Sequence, residues 1–333
     1  MTRLTLIWQY RLFSDRDWIR EVFRPIAGKD VYDEEHRVVL DDCLVIDSWL
    51  HAQSLSYFEQ FRGKNAWLLH LCDETYEGGY EVYDCFRGVF RCYWSNIFHP
   101  RLVMQIPLGY SAGIQASSDQ LTAAQRPYLW SFLGRAEASS RPEMMKGLLP
   151  ITPHLLHNTA IGTAKRLEKA SYQEILRQSV FIPCPMGNVN LECYRVYEAL
   201  QSGSIPIVEK RPSLDYFKKL LGPHPLPTST TWNEAGQFLH RIRGDHEAQD
   251  QLIAACSQWW SDFKKNLSTR IEQFVNLPAA HDVGSAVKWY RSIPGSQAIE
   301  LLRHHSGPAI RRRVQKQATR ILKEGKVRGT YGV

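Results

Sequence analysis

The sequence predicts an α/β fold made of two Rossmann-like lobes that face each other across a central cleft. A length of 333 residues is more than one hydrophobic core usually supports, so two domains are expected. Short apolar runs alternate with longer amphipathic stretches, which is typical of βαβ units with a parallel sheet. This alternation occurs twice, and residues 109–125, rich in Ser, Ala and Gly, read as a linker between the two series. The predicted limits are 1–122 and 123–280 for the two lobes, and 281–333 for C-terminal helices with a basic tail.

The strands of each lobe are predicted from short apolar runs bounded by polar residues. In the first lobe these runs lie at residues 4–8, 43–47, 66–71, 89–94 and 101–106. A helix is predicted there at 50–61. The second lobe is expected to have strands at 128–134, 179–184 and 204–209, and later helices at 232–242 and 247–275. Ligands of such sheets bind at the carboxyl ends of the strands, so a functional site is expected at that edge.

The formal net charge of +7 is concentrated at the C-terminus. Residues 303–333 contain nine Lys or Arg and one acidic residue, Glu324, so the rest of the chain is close to neutral. A neutral body without a basic stripe argues against a nucleic-acid partner. The amphipathic pattern at 310–322 leaves three interpretations open for the tail: a helix that packs on the protein, a membrane-surface helix, or a nucleic-acid contact.

The seven cysteines are scattered and form no C-x-x-C pair, so neither a disulfide framework nor a zinc site is predicted. The first ten residues do not resemble a signal peptide, because the apolar run is short and charged residues follow at once. No window approaches the roughly 20 apolar residues that span a bilayer. The expectation is a cytoplasmic protein, with a peripheral membrane contact through residues 303–333 left open.

The segment at residues 179–210, SVFIPCPMGNVNLECYRVYEALQSGSIPIVEK, predicts a strand, a glycine loop, a helix and a second strand. On a helical wheel, Glu192, Arg195 and Glu198 lie away from the apolar stripe that would pack on the sheet. One interpretation is an ion-pair series on a solvated face. The other is an anion site, in which the loop amides and Arg195 bind a diphosphate and Glu198 accepts ribose hydroxyls. Spacing alone leaves both open, because the loop is neither a Walker A nor a G-x-G-x-x-G motif.

The stretch CPMGNVNLECYRVYEALQSGSIPIVE resembles the donor-binding motif of the exostosin-like glycosyltransferases, most closely their ribitol β-1,4-xylosyltransferase branch. Further similarity lies in RPYLWSFLGRAEASSR, IPLG and QWWSDFKKNL. The resemblance implies a GT-B fold with an acceptor-binding N-terminal lobe and a UDP-sugar-binding C-terminal lobe. It also implies an inverting transfer of a sugar, with xylose expected, from a UDP-sugar to ribitol phosphate, another polyol phosphate or a glycan.

The same resemblance assigns residues to the donor site. Arg195 looks like the diphosphate-binding arginine and Glu198 like the ribose-binding carboxylate. Arg141 and Gly187 match positions that line the donor cleft. The predicted donor site is completed by Asn188, Glu192 and Ser204.

An inverting transfer also needs a base that takes the proton of the acceptor hydroxyl. The base is expected at a strand end of the first lobe, where LLHLCDET offers Asp73 and Glu74; alternatively, these residues cap the next helix. His51 is a further candidate. Arg195 and a helix N-terminus can neutralise the departing diphosphate, so no metal or other cofactor is expected.

Two alternatives remain open from the residues alone. His154 and His157 can form half of a metal site or contact the donor, although an ordinary loop or helix start is the simpler interpretation. A non-catalytic protein that binds nucleotide-sugars or glycans on the same scaffold would keep Arg195 and Glu198 but lack a base. Such a protein would bind UDP without turnover.

Overall fold

The computed structural model describes residues 3–278 except for a few short segments, at 12–13, 49, 51–54, 75–78, 118, 160–166 and 213. The chain divides into two compact units. Unit 1 consists of the described residues up to 11, Arg20–Pro107 and 268–278, and unit 2 of Ser14–Ile19 and Leu108–Leu267. The basic tail and His51 lie outside the described residues.

Unit 1 contains a six-stranded parallel sheet in the order β2-β1-β3-β4-β5-β6. Its strands are β1 (Leu4–Trp8), β2 (Ala27–Tyr32), β3 (Cys43–Asp47), β4 (Ala66–His70), β5 (Gly88–Arg91) and β6 (Val103–Gln105). Every residue of β3 and β4 is buried, which explains why these strands read as continuous apolar runs. The helices are α1 (Arg16–Val22), α2 (Leu55–Glu59) and a 3₁₀ helix, Tyr80–Cys85.

Unit 2 contains a five-stranded parallel sheet in the order β11-β10-β9-β7-β8. Its strands are β7 (Tyr128–Gly134), β8 (His154–Asn158), β9 (Ser179–Cys184), β10 (Ile205–Glu209) and β11 (Thr228–Ser229). Its helices are α3 (Arg141–Leu148), α4 (Lys169–Arg177), α5 (Tyr194–Gln201), α6 (Tyr216–Leu221) and α7 (Trp232–Ile242), followed by the long helix α8 (His246–Asn276). Both sheets are parallel, as the βαβ pattern predicts.

The strand order of unit 2 reverses at β7. From β7 the chain adds β8 on one side, and it then crosses to place β9 on the other side. The connections that leave β7 and β9 therefore run in opposite directions. In open parallel sheets this arrangement opens a crevice at the carboxyl ends of the two strands, where ligands bind. The crevice predicted by the topology lies beyond Gly134 and Cys184.

The segment PHLLHNT differs from its predicted loop or helix start, because it contains the edge strand β8. His154 stacks on Trp130 with ring centroids 4.6 Å apart, and its Nδ1 lies 3.0 Å from the Ile151 carbonyl oxygen. In a strand, residues three apart point to opposite faces, so His154 and His157 do not form a two-ligand pair. The favoured interpretation as a loop or helix start is therefore wrong, and the strand geometry also disfavours the alternative of half a metal site at these histidines.

The predicted linker at residues 109–125 packs as part of unit 2. Gly113 N donates to Asp17 Oδ2 at 2.8 Å, and Ser117 N donates to the Gln201 carbonyl at 3.2 Å. The predicted limit after residue 122 thus lies inside this unit. Within the described part of the chain, no helix combines the length and the apolar character that crossing a membrane requires.

Candidate functional site

Arg195 lies at the switch point of the unit 2 sheet. It occupies the second position of α5, whose N-cap residue is Cys193. Its Nη2 donates to the Leu133 carbonyl at 3.1 Å, and its guanidinium carbon lies 4.6 Å from the centroid of the Phe132 ring. The side chain therefore reaches the carboxyl end of β7, at the edge where a ligand is expected.

Gly134 leaves the space that this guanidinium occupies. A Cβ at this position would lie 2.9 Å from Arg195 Nη2, and the backbone φ of +151° is one that L side chains rarely adopt. The glycine that ends β7 thus allows the guanidinium to lie at this position.

The Arg195 guanidinium is charged, and its hydrogen-bond donors are only partly satisfied. Its Nε is buried and has no hydrogen-bond partner among the described residues. Burial alone would lower the pKa of this group, but Tyr172, Cys193, Cys184 and Glu198 together raise it. A cation with an unfilled donor at a helix N-terminus is suited to bind an anion.

The pKa of the Cys193 thiol is shifted by a neighbouring thiol and by the same positive charges. A hydrogen bond from Cys184 lowers the pKa of the Cys193 thiol against the effect of burial, and the positive charges of Arg195 and Arg141 lower it further. Burial raises the pKa of Cys184 in the same pair. The positive charges of Arg195 and Arg141 thus favour a negative charge at the start of α5.

Glu209 ties together the elements around this edge. It ends β10, is 5% exposed, and accepts hydrogen bonds through Oε1 from Trp232 Nε1 at 2.9 Å, from Met186 N at 3.1 Å and from Ser140 Oγ. Its Oε2 pairs with Arg211 Nη2 at 3.2 Å. One carboxylate thus fixes the loop after β9 and the starts of α3 and α7. Sequence patterns do not single out Glu209, because its only signal is that an acid ends the apolar run IPIV.

The predicted loop residues lie beside this carboxylate. Gly187 N donates to the Asn190 carbonyl at 2.8 Å, and the Gly187 carbonyl accepts from Ser139 Oγ. Asn188 is exposed. Arg141 is the first residue of α3 and donates to the Arg135 carbonyl at 2.9 Å. The structure therefore gathers Arg141, Gly187 and Arg195 around the carboxyl ends of β7 and β9.

Glu192 does not lie on the helix, because α5 begins at Tyr194 and Cys193 is extended, with φ of −149°. Its carboxylate is 1% exposed and accepts from Leu108 N and Tyr197 Oη, each at 2.6 Å, and from Tyr216 Oη at 2.7 Å. It holds the segment before α5 in place. The interpretation as an ion-pair series on a solvated face is wrong, since Glu192 precedes the helix and Glu198 is buried.

Glu198 faces α4 and the segment that precedes β7. It is 7% exposed, and its oxygens accept from Tyr172 Oη at 2.6 Å and from Ser111 Oγ. Burial and the Glu198 charge raise the pKa of Tyr172, so that hydroxyl remains a donor. A ribose that binds Glu198 must therefore share the carboxylate with the hydroxyls of Tyr172 and Ser111, or displace them.

Ser204 does not join the other predicted residues. It precedes β10 and so lies at the amino end of the strand, opposite the edge that carries Arg195. Its Oγ donates to the Leu176 carbonyl at 2.6 Å and accepts from Arg126 Nη1 at 3.2 Å. Its surroundings are those of a buried structural hydroxyl.

The predicted base candidates follow β4 in unit 1. Asp73 is 7% exposed; its Oδ2 accepts from Tyr80 Oη at 2.7 Å and lies 3.3 Å from Arg91 Nη1. Glu74 is half-buried. The charge of Asp73 is thus already compensated by a buried guanidinium, and a catalytic role for either residue stays a prediction.

Comparison with known proteins shows that about half of the chain matches a known family. Residues 112–278 match the family described as the RXYLT1 C-terminal domain. The chain is 28% identical over 207 residues to ribitol-5-phosphate xylosyltransferase 1 of Danio rerio, covering 56% of this chain and 47% of that protein. It is 39% identical over 119 residues to the Homo sapiens protein of the same name, covering 32% and 26% respectively. The chain thus spans about half the length, or less, of these relatives.

Two solved structures share the fold at low sequence identity. An α1,3-fucosyltransferase superposes with a TM-score of 0.52 at 11% identity, over 83% of this chain and 91% of that one. A DNA-modifying β-glucosyltransferase superposes with a TM-score of 0.50 at 11% identity, over 83% and 100%. These similarities, with the two parallel sheets, confirm the predicted α/β fold class of GT-B type.

Proposed function

The chain belongs to the RXYLT1 C-terminal domain family, and on that premise we propose that it is a glycosyltransferase that takes its sugar from a UDP-sugar. The observation that carries this proposal is Arg195, a charged guanidinium with an unfilled donor at the switch point of the unit 2 sheet. A diphosphate has the negative charge and the acceptor oxygens that this guanidinium can bind. The relatives named xylosyltransferases favour xylose as the sugar and ribitol phosphate, another polyol phosphate or a glycan as the acceptor.

The residues of this edge can perform the donor half of an inverting transfer. Arg195, with the amides at the start of α5, would bind the diphosphate and stabilise the charge that develops as the bond to the sugar breaks. Arg141 would add a second positive charge from α3. Glu198 would accept hydrogen bonds from the ribose hydroxyls. The loop that contains Gly187 and Asn188 would line the donor site. Since protein groups supply the positive charge, the proposed transfer does not require a metal.

A screen of UDP-sugars, read by UDP release with and without ribitol 5-phosphate, tests this function. We expect release from UDP-xylose that depends on the acceptor and persists in EDTA. An inverting course predicts a β-linked product, which nuclear magnetic resonance identifies. Tight UDP binding without release from any donor would instead support the alternative, a non-catalytic nucleotide-sugar-binding protein.

Glu198→Gln tests the ribose contact. Because the amide presents one acceptor oxygen and no charge, we expect UDP to bind about tenfold more weakly, as for one lost charge-assisted hydrogen bond. Calorimetric titration with UDP measures the change, and Glu174→Gln on exposed α4 is the matched control. Wild-type affinity in Glu198→Gln would leave this carboxylate with a structural role only.

A further inference from the structure

Asp15 is a buried acid that neither the sequence motifs nor the donor site explain. It immediately precedes α1, on a segment that packs with unit 2. Ala112 N donates to the Ser14 carbonyl, and Gly113 N donates to Asp17 Oδ2 at 2.8 Å. These contacts hold the Asp15 backbone in a fixed place within the unit that carries Arg195.

The Asp15 carboxyl is connected to the first residue of the donor helix. Tyr194 begins α5, immediately before Arg195, and its hydroxyl is a hydrogen-bond partner of the Asp15 side chain. Ser14 Oγ donates to Asp15 Oδ2 at 3.3 Å and lies 3.3 Å from Tyr194 Oη. A carboxyl and two hydroxyls thus form one polar cluster at the end of α5 where we place the diphosphate.

One oxygen of this carboxyl is unused. Asp15 is 1% exposed, and its Oδ1 is buried without a hydrogen-bond partner among the described residues. A buried acceptor without a donor destabilises a fold, so such an oxygen calls for a donor from outside the chain, such as a water or a ligand. A hydroxyl group is the donor that would complete it. Ser14 is exposed and Tyr194 is half-buried, so an incoming hydroxyl would reach the carboxyl from the side of these two residues.

The proton affinity of Asp15 suits proton transfer near neutral pH. Burial raises the pKa of its carboxyl to about 6, against the lowering effect of hydrogen bonds from Tyr194, Ser14 and its own backbone amide. The groups that act on it are therefore uncharged. Asp73, the candidate predicted from sequence, differs because it faces the Arg91 guanidinium at 3.3 Å. A general base is most effective when its pKa lies near the working pH.

We propose that Asp15 is the general base of the sugar transfer, an assignment that rests on the function proposed above. The acceptor hydroxyl donates to Oδ1 and passes its proton there as its oxygen forms a bond to the anomeric carbon. The bond between that carbon and the diphosphate oxygen breaks, and its electron pair leaves with UDP. Asp15 ends protonated and returns the proton to water after the products leave.

Asp15→Asn tests the assignment, and Asp262→Asn is the matched control because it removes an exposed carboxylate of α8 whose partners are Lys265 and Gln258. We expect kcat to fall about 10²-fold or more in Asp15→Asn, while UDP affinity stays at the wild-type value. The wild-type rate should rise with pH through about 6, and the variant should lose this dependence. Asp262→Asn should keep both the rate and the pH profile.

Thermal unfolding separates catalysis from structure. Because the pKa of the Asp15 carboxyl is raised from its ordinary value of 3.8 to about 6 in the folded chain, stability falls as the pH rises from about 4 to about 6, and the full loss is present above pH 6. Asp15→Asn should therefore melt above the wild type at pH 7.5 and close to it at pH 4. A carboxylate that merely supports the fold would give a lower melting temperature in the variant. Formate should partly restore transfer to Asp15→Ala, because it supplies a carboxylate to the space left by the side chain.

Three results would overturn the assignment. Transfer by Asp15→Asn at the wild-type rate removes Asp15 from the reaction and leaves the proposed function intact. Loss of the pH dependence in Asp73→Asn, with its retention in Asp15→Asn, identifies Asp73 as the base instead. A wild-type chain that binds UDP but transfers no sugar overturns the proposed function and this assignment together.

Discussion

Replacing Arg195 with alanine is expected to lower kcat for sugar transfer by about 10² to 10³, or roughly 3 kcal/mol of transition-state stabilisation, the usual effect of one preorganised donor to a developing anion. The side chain lies against Phe132 and Leu133 at the end of β7, where the diphosphate is proposed to bind. Arg195→Lys should recover part of the rate, because it restores the charge but not the planar fork of donors.

Steady-state kinetics with a saturating donor measure this effect. Arg243→Ala, which removes an exposed arginine at the end of α7, is the matched control and should change little. Circular dichroism establishes that each variant is folded. An Arg195→Ala enzyme with the kinetics of the wild type would exclude a role for this guanidinium at the diphosphate.

Glu209→Ala is expected to destabilise the fold by about 3 to 5 kcal/mol, the range for removing one partner of a buried ion pair. The change leaves Arg211 without its carboxylate and takes the acceptor from the Trp232 indole and the Met186 amide. Glu209→Gln should destabilise the fold less than Glu209→Ala, because the amide keeps one acceptor oxygen. Since the same carboxylate fixes the loop after β9, UDP affinity should fall as well.

Chemical denaturation gives the free energy of unfolding for comparison. The control is Glu174→Ala, which removes an exposed pair with Arg177 at 3.2 Å and should cost less than about 1 kcal/mol. An equal loss of unfolding free energy in Glu209→Ala and Glu174→Ala would show that Glu209 does not organise this edge of the sheet.

The buried strands could be predicted because their sequences contain the signal that burial demands. LTLIW, CLVID and YLWSFLG are apolar along their length, since parallel strands are covered on both faces. The edge strands β2 and β8 were missed for the opposite reason. AGKDVY is mostly exposed and HLLHN is half-buried, so neither shows a continuous apolar run.

The candidate site could be predicted only in part. Arg195 follows from its place after a strand and a glycine loop, and the topology then brings it to the carboxyl end of β7. The start of α5 could not be read from sequence, because Cys193 is not a residue type that marks an N-cap. Placing Glu192 on the helix was the consequence. Asp15 depends on a tertiary contact with Tyr194, across a sequence separation that no local pattern spans.

A crystal structure of the chain with UDP tests the central claim most directly. We predict that the diphosphate lies beyond Gly134 and Cys184, with the Arg195 guanidinium within hydrogen-bond distance of its oxygens. UDP bound elsewhere, with Arg195 still directed only at the Leu133 carbonyl, would contradict the account.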